Sequence, residues 1–270
     1  MLELLKTQLN KYKIELCGAI SLKNCNVLRP NKLVRCGFDE DFEKLNAVIF
    51  AVPYYTECEN KNLSAYAVCR DYHIFFDMLF KDILPKLEES FDGFRFCGFA
   101  DNSPIDEIDA AARSGLGIVG YNNLLITEKY SSYVFLGEII TDMPIETHSF
   151  PKRYCEKCGR CKSACPMTKT GFCLSELTQK KGALSELEKD ALIDGGSVWG
   201  CDKCQTVCPY TEKAIRSGTV YTDIDFFKTE LLPILTLDSL QNMSDADFSE
   251  RAYSWRGKNT VKRNLELLKF

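Results

Sequence analysis

The sequence predicts a chain of the α+β or α/β class in three parts: an α/β stretch over residues 1-150, a cysteine-dense module over 151-215, and a short helical tail over 216-270 that packs back on the rest. Three observations carry this reading. Helical and strand-like apolar patterns alternate through the first part. Composition changes between Pro144 and Pro151, and cysteine dominates from Tyr154 to Pro209.

Each element has a local reason. "AVIFAVPYY", residues 47 to 55, is a short apolar run suited to a buried strand. From Leu63 to about Leu87 the positions Tyr72, Phe75, Phe76, Leu79, Phe80, Ile83 and Leu87 keep helical spacing, with Pro85 expected to bend or end the helix. "FRFCGFA" reads as a strand, "IDEIDAAAR" as a helix stopped by Gly115, and "NNLLIT" and "YVFLGEIIT" as further strands. Past Tyr210 helices are expected from about Asp245 and about Thr260.

Composition narrows the classes. A chain of 270 residues that is 45% hydrophobic affords a proper core. "MLELLKTQLNKYK" scatters lysines through its apolar residues and offers no small-residue cleavage site, and no apolar run reaches bilayer length, so a cytoplasmic protein with no membrane partner is expected. A net charge of −4 works against a non-specific grip on nucleic acid, and no DNA partner is expected. Arg251, Arg256, Lys258, Lys262, Arg263 and Lys269 nevertheless crowd the C-terminal stretch. They read equally as a polyanion contact or as the wet side of a helix that turns Leu265, Leu267 and Leu268 inward.

Fourteen cysteines in a reducing compartment point to metal ligands ahead of disulfides. Cys155, Cys158, Cys161 and Cys165-Pro166 have the spacing C-x2-C-x2-C-x3-C-P of two-cluster ferredoxins, in which the last thiolate serves the other cluster. Cys201, Cys204 and Cys208-Pro209 supply three thiols of a second run, and Cys173 is the cysteine lying between the motifs. The expected assignment is one [4Fe-4S] cluster on Cys155, Cys158, Cys161 and Cys208 and another on Cys165, Cys173, Cys201 and Cys204. A zinc ribbon on Cys155, Cys158, Cys201 and Cys204 is the competing reading, and it leaves four thiols and two Cys-Pro endings unexplained. Cys17, Cys25, Cys36, Cys58, Cys69 and Cys97 show no ligand spacing and are read mostly as small buried apolar residues.

"CRDYHIFF", "FADNSPIDEIDAAARSGLGIVGYNNLLI", "YVFLGEIITDMPI", the cysteine run, "GFCLSEL", "WGCDKCQTVCP" and "YSWRGKNTVKRNLELL" occur in the order seen in epoxyqueuosine reductases. From about residue 47 onward the chain resembles that family, in a short form that stops about where the family's C-terminal helical-repeat domain begins. The resemblance implies a cobalamin-binding type of N-terminal domain followed by a ferredoxin-like double [4Fe-4S] module. It implies cobalamin, an external flavodoxin or ferredoxin as electron donor, and reduction of epoxyqueuosine in tRNA to queuosine. Two other readings remain open: a ferredoxin-like electron-transfer protein that activates a corrinoid enzyme, or a related reductase acting on a substrate other than tRNA.

Residue roles follow on the same footing. Asp101 ends the predicted strand "FRFCGFA" and matches the family's proton donor, a role that calls for a carboxyl kept protonated near neutrality. Its alternative is an N-cap for the next helix, in competition with Asn102 and Ser103. Gly115, Gly117 and Gly120 would let the backbone approach the cofactor, bordered by Tyr121, where the family has Lys, and Asn122; a plain turn is the alternative. Arg70 and His73, with Asp77, would share one helical face as substrate or cofactor contacts, or as a solvent-facing stripe.

Overall fold

The computed structural model describes residues 1–166 and 171–270. In chain order the elements are α1 (Leu2–Lys11), β1 (Leu16–Ser21), α2 (Pro30–Arg35), β2 (Asn46–Pro53), α3 (Ala65–Val68), α4 (Tyr72–Ser90), β3 (Phe96–Ala100), α5 (Glu107–Arg113), β4 (Ile118–Val119), β5 (Leu125–Ile126) and β6 (Val134–Thr141). There follow α6 (Arg160–Ser163), α7 (Leu174–Gln179), α8 (Glu186–Gly195), α9 (Lys203–Thr206), α10 (Pro209–Arg216), α11 (Leu237–Asn242), α12 (Asp245–Ser249) and α13 (Lys258–Leu268). The chain groups into two compact units, Met1–Pro53 with Phe75–Lys157, and Tyr54–Ile74 with Cys158–Phe270.

The first unit is built on a four-stranded sheet of order β1-β2-β6-β3, antiparallel throughout. All eight residues of β2 are buried, which is why its sequence is a continuous apolar run with no alternation. Ala47, Ile49 and Ala51 turn to one face, where Leu33 of α2 and Ala110, Ala111 and Ala112 of α5 complete a core with Ile140. Phe50 turns to the other, against Phe76 and Phe80 of α4 with ring centroids 6.1 and 6.4 Å away. The rings lie so close to the sheet that a Cβ on Gly137 would stand 2.3 Å from Phe76, and one on Gly98 2.5 Å from Phe80. Both glycines are required by packing.

The second unit has no sheet among its described residues. Its helices are short, and polar groups carry part of the packing. Leu63, Val198, Trp199, Tyr253, Val261 and Leu265 form its main apolar cluster. Asn264, fully buried on α13, donates to the carbonyls of Thr178 (2.7 Å) and Val198 (2.9 Å). Asn62 exchanges hydrogen bonds with Leu235 in both directions, at 2.7 and 2.9 Å.

Several expected elements differ. The single helix expected from Leu63 is two, because Cys69 takes an extended backbone between α3 and α4. The His73 amide then donates to Asp71 Oδ1 (3.0 Å), which starts α4 afresh. Pro85 does not end α4, which runs on to Ser90. "NNLLIT" contributes only Leu125–Ile126, paired with Ile118–Val119 in a two-stranded ribbon. Cys36 and Cys97, two of the six cysteines read mostly as small buried apolar residues, are partly buried and form a disulfide that ties the end of α2 to β3. Cys69 does behave as expected: it is buried, and burial pushes its thiol up to about 12.

Candidate functional site

The eight motif cysteines are thiols outside any disulfide. Cys155 sits in the first unit, where its amide donates to Val119 O (3.0 Å) and Tyr154 bridges Val119, so that the segment runs beside β4. The Tyr121 amide then falls on the Cys155 sulfur at 3.1 Å. Two candidates far apart in sequence are thus joined. A thiolate at this point gains a charge-assisted hydrogen bond, the kind of donor that holds cluster ligands in place.

The other seven motif cysteines lie in the second unit. Gly159, in the left-handed region, opens α6, whose short turn carries Cys161. Arg160 at its start pairs with Glu212 of α10 (3.0 Å) and feels both Cys158 and Cys208. Cys208 and Cys173 are the N-cap residues of α10 and α7. Cys165 and Cys201 pack on the same leucine patch, Leu174, Leu177, Leu184 and Leu192. Burial pushes the Cys201 thiol up to about 11, the Lys203 amide at 3.5 Å opposes that, and the charges of Cys204, Asp202 and Cys173 add to it. Cys173 and Cys204 thus act electrostatically on Cys201, and Cys165 and Cys201 border one leucine patch. Among the described residues no three His, Cys, Asp or Glu side chains close on one metal-ion position.

Asp101 follows β3 directly and lies exposed, with φ +55°, next to Asn102 at φ +40°. Such backbone is uncommon outside glycine and marks a turn held by its surroundings. The hold is visible: Arg29 donates to Ser103 O (2.7 Å), Lys32 donates to Asn102 O, and the amides of Leu28 and Arg29 reach Pro104 O at 2.8 and 3.0 Å. Asp101 is not the cap of the following helix, nor is Asn102 or Ser103. That position belongs to Asp106, which accepts the Asp109 amide at 3.1 Å.

Beneath this turn lie two carboxyls that sequence reasoning passed over. Glu107, on the first turn of α5, accepts the Asp101 amide; burial, then the charge of Asp101, raises it to about 7. Glu138, in the middle of β6, is fully buried, hydrogen-bonded through Oε1 to Ser103 Oγ, and raised well above the carboxylate range by burial and by Glu107. One charged residue inside the apolar run "VFLGEIIT" was the available signal.

The glycines of "SGLGIVGYNN" are accounted for by the chain itself. A Cβ on Gly117 would stand 2.3 Å from Ile126 O, one on Gly120 would meet Asn122 Oδ1 at 2.3 Å, and one on Gly115 would press on the Phe150 ring at 3.2 Å. Gly117 and Gly120 thereby close the β4–β5 ribbon, and Gly115 faces Phe150. Tyr121 is exposed and Asn122 half-buried, so these two keep surface to offer.

Arg70 and His73 do not share a helical face, because Arg70 precedes α4. Its guanidinium is engaged by Glu250 (Nε to Oε2, 2.7 Å) and lies 4.6 Å from the centre of the Phe226 ring. His73 pairs with Asp71 through Nδ1 (2.8 Å) and stacks on Tyr72. In the basic tail, Arg263 donates to the carbonyls of Lys180 and Gly182 (2.6 and 2.7 Å) and Lys258 pairs with Asp245 (2.9 Å). Leu265 is buried and Leu267 and Leu268 partly so. This is the inward-facing helix of the two readings, with Arg263 and Lys258 taken up internally.

No family model matches the chain. It is similar to the epoxyqueuosine reductase of Lactococcus garvieae, 34% identical over 225 residues, which make up 79% of this chain and 62% of that protein. It is similar to the enzyme of that name from Synechocystis, 32% identical over 199 residues, 70% of this chain and 67% of that one. The chain spans less than two thirds of the length of the first of these relatives. Among solved structures, the epoxyqueuosine reductase of Streptococcus thermophilus superposes with a TM-score of 0.74 at 25% identity, covering 99% of this chain and 80% of that one. An epoxyqueuosine reductase in complex with an epoxyqueuosine-modified tRNA-Tyr stem loop shares the mixed α and β fold, with a TM-score of 0.74 at 23% identity, over 99% of this chain and 81% of that one. No helix among the described residues is long and apolar enough to cross a membrane.

Proposed function

The chain belongs to the epoxyqueuosine reductase family, and on that premise we propose that it reduces the epoxide of epoxyqueuosine in tRNA to the alkene of queuosine, drawing electrons from an external flavodoxin or ferredoxin through two [4Fe-4S] clusters. In this reading the chain holds a cobalamin-binding type of domain, a ferredoxin-like double-cluster module and a helical tail. One cluster takes Cys165, Cys173, Cys201 and Cys204. The other takes Cys155, Cys158, Cys161 and Cys208 on the strength of spacing. The observation that carries the proposal is that Cys173 and Cys204 lie near enough to act on the Cys201 thiol, which shares a leucine patch with Cys165 and receives the Lys203 amide at 3.5 Å.

The reaction consumes two electrons and protonates a departing oxygen. Cobalamin, when bound, would supply the two-electron carbon–oxygen chemistry that one-electron clusters cannot. Gly115, Gly117, Gly120, Tyr121 and Asn122 are the loop we assign to border it, with Tyr121 exposed and Asn122 half-buried. Asp101 is the group we assign to the proton: its carboxyl projects from an exposed turn that Arg29, Lys32 and Glu107 fix in place, and it gives its proton to the oxygen as the carbon–oxygen bond breaks.

The test is anaerobic turnover of a tRNA stem loop carrying epoxyqueuosine, read by mass spectrometry of its nucleosides. Loss of epoxyqueuosine with gain of queuosine is expected, and Asp101→Asn should lower the rate about 100-fold or more. A reconstituted protein holding cobalt and iron that leaves epoxyqueuosine untouched would refute the proposed substrate. A protein that loads iron and takes up no cobalt would favour an electron carrier.

A further inference from the structure

The C-terminal tail, one reading of which is a polyanion contact, has Arg263 and Lys258 taken up internally. A different basic stretch is held open. Residues 16–38 carry Lys23, Arg29, Lys32 and Arg35 and no Asp or Glu, in a chain whose net charge is −4. A run of one sign ordinarily means no more than a solvated face. Here it is fastened to the turn that carries Asp101. Asn26 O accepts the Asp106 amide (3.0 Å), Val27 bridges Ile105, and the amides of Leu28 and Arg29 reach Pro104 O at 2.8 and 3.0 Å. Arg29, at the start of α2, gives Nη1 to Ser103 O (2.7 Å), and Lys32 gives its ammonium to Asn102 O. Both acceptors are carbonyls, which leave the positive charges uncancelled, and guanidinium and ammonium keep further N–H donors to offer. Arg35, three residues beyond Lys32, takes no part in holding the turn. Arg29 and Arg35 are exposed and Lys32 is half-buried.

The surrounding carboxyls do not neutralise these cations. Among the described residues Arg29, Lys32 and Arg35 make no ion pair, whereas Arg113 and Lys152 of the same unit pair with Asp109, and Arg95 with Asp142. Asp39, Glu40, Asp41 and Glu43 follow α2 as exposed residues, and Lys44 takes up Asp41 at 2.7 Å. Glu107 feels Arg29 and Glu138 feels Lys32, but burial is the larger influence on both and favours their neutral forms. Side chains three apart on a helix stand about 5–6 Å from one another, so the three cations make a row.

We propose that Arg29, Lys32 and Arg35 form a phosphate-binding ridge that seats the ribose–phosphate backbone of the RNA substrate beside Asp101. The ridge rests on the reductase reading for the identity of that RNA. A strand of RNA offers phosphates in a row to match the row of cations, the arginines through a fork that fits phosphate oxygens and the lysine as a point charge. Contacts of this kind fix register and carry no sequence information. Because Arg29 and Lys32 also hold the Asp101 turn, the residues that seat the backbone are the ones that place the proton donor.

The experiment titrates the cluster-loaded protein into a fluorescent, unmodified tRNA stem loop and reads affinity by anisotropy over a range of salt. Arg35→Gln and Lys32→Gln should each weaken binding about 5- to 10-fold at low salt and lower the slope of log affinity against log salt by about 0.7 to 0.9. Arg35→Lys, which keeps the charge, should restore the slope. Lys86→Gln on α4, which removes a charge already matched by Asp82, should leave affinity and slope as they are. With the epoxyqueuosine stem loop, Arg35→Gln should raise KM while kcat stays within about twofold, the mark of a contact made equally in ground and transition states. Affinity and slope unchanged in both Arg35→Gln and Lys32→Gln overturn the ridge, whatever the turnover. Weakened binding of an acidic electron-donor protein, with RNA binding intact, overturns it too and gives this surface to the donor. RNA binding that changes as described, in a protein that never consumes epoxyqueuosine, supports the ridge and overturns the substrate assignment.

Discussion

The two compact units of this chain hold themselves together by different means. The first, Met1–Pro53 with Phe75–Lys157, closes a sheet between helices, with β2 buried along its whole length and phenyl rings seated on glycines. The second, Tyr54–Ile74 with Cys158–Phe270, uses helices of four to eleven residues, and its interior depends on Asn62, Thr178, Asp202 and Asn264 as much as on leucine. Short helices are marginal by themselves. What the second unit has in addition is seven of the eight motif cysteines. The comparison teaches that the first unit is stabilised by apolar burial and the second in part by polar knots, so a metal cluster on its thiols would add folding free energy there.

The largest expected effect follows directly. Stripping iron from the anaerobically purified protein should unfold the second unit while leaving the first: hydrogen exchange should become fast across residues 158–270 and stay slow across β2 and β6. Equal protection loss in both units would break the comparison. Next, Asn264→Ala orphans the buried carbonyls of Thr178 and Val198 and should cost about 2–4 kcal/mol in the second unit. Its counterpart is an added methyl. Gly137→Ala brings a Cβ to 2.3 Å from Phe76 and should cost about 1–3 kcal/mol in the first unit. Denaturant melts of both variants, read by exchange in each unit, would sharpen the contrast if each substitution is felt only where it is made.

Sequence legibility divides along the same line. Continuous apolar runs gave β2 and β6 within a residue or two, because burial on both faces leaves an unmistakable pattern. β1, at the sheet edge and only half-buried at its start, carries a weaker pattern and went unread. In the second unit α7, α8, α10 and α11 went unread for a similar reason: at six to ten residues they are too short for a period to establish itself. Cysteine spacing, which does not depend on burial, gave the ligand candidates there. Asp101 was legible as the residue that ends a strand. Glu107 and Glu138 were not, because their mutual influence requires α5 and β6 to be brought together in space, and no local pattern encodes that.

The central claim is that eight thiolates divide into two sets of four. Iron, acid-labile sulfide and zinc counted on one anaerobic sample, beside the same counts for Cys173→Ala, test it most directly. The account predicts about eight irons and eight sulfides per chain, falling toward four of each in the variant, in line with one cubane per four thiolates. One zinc and no sulfide, or a Cys173→Ala protein that keeps all eight irons, would contradict it.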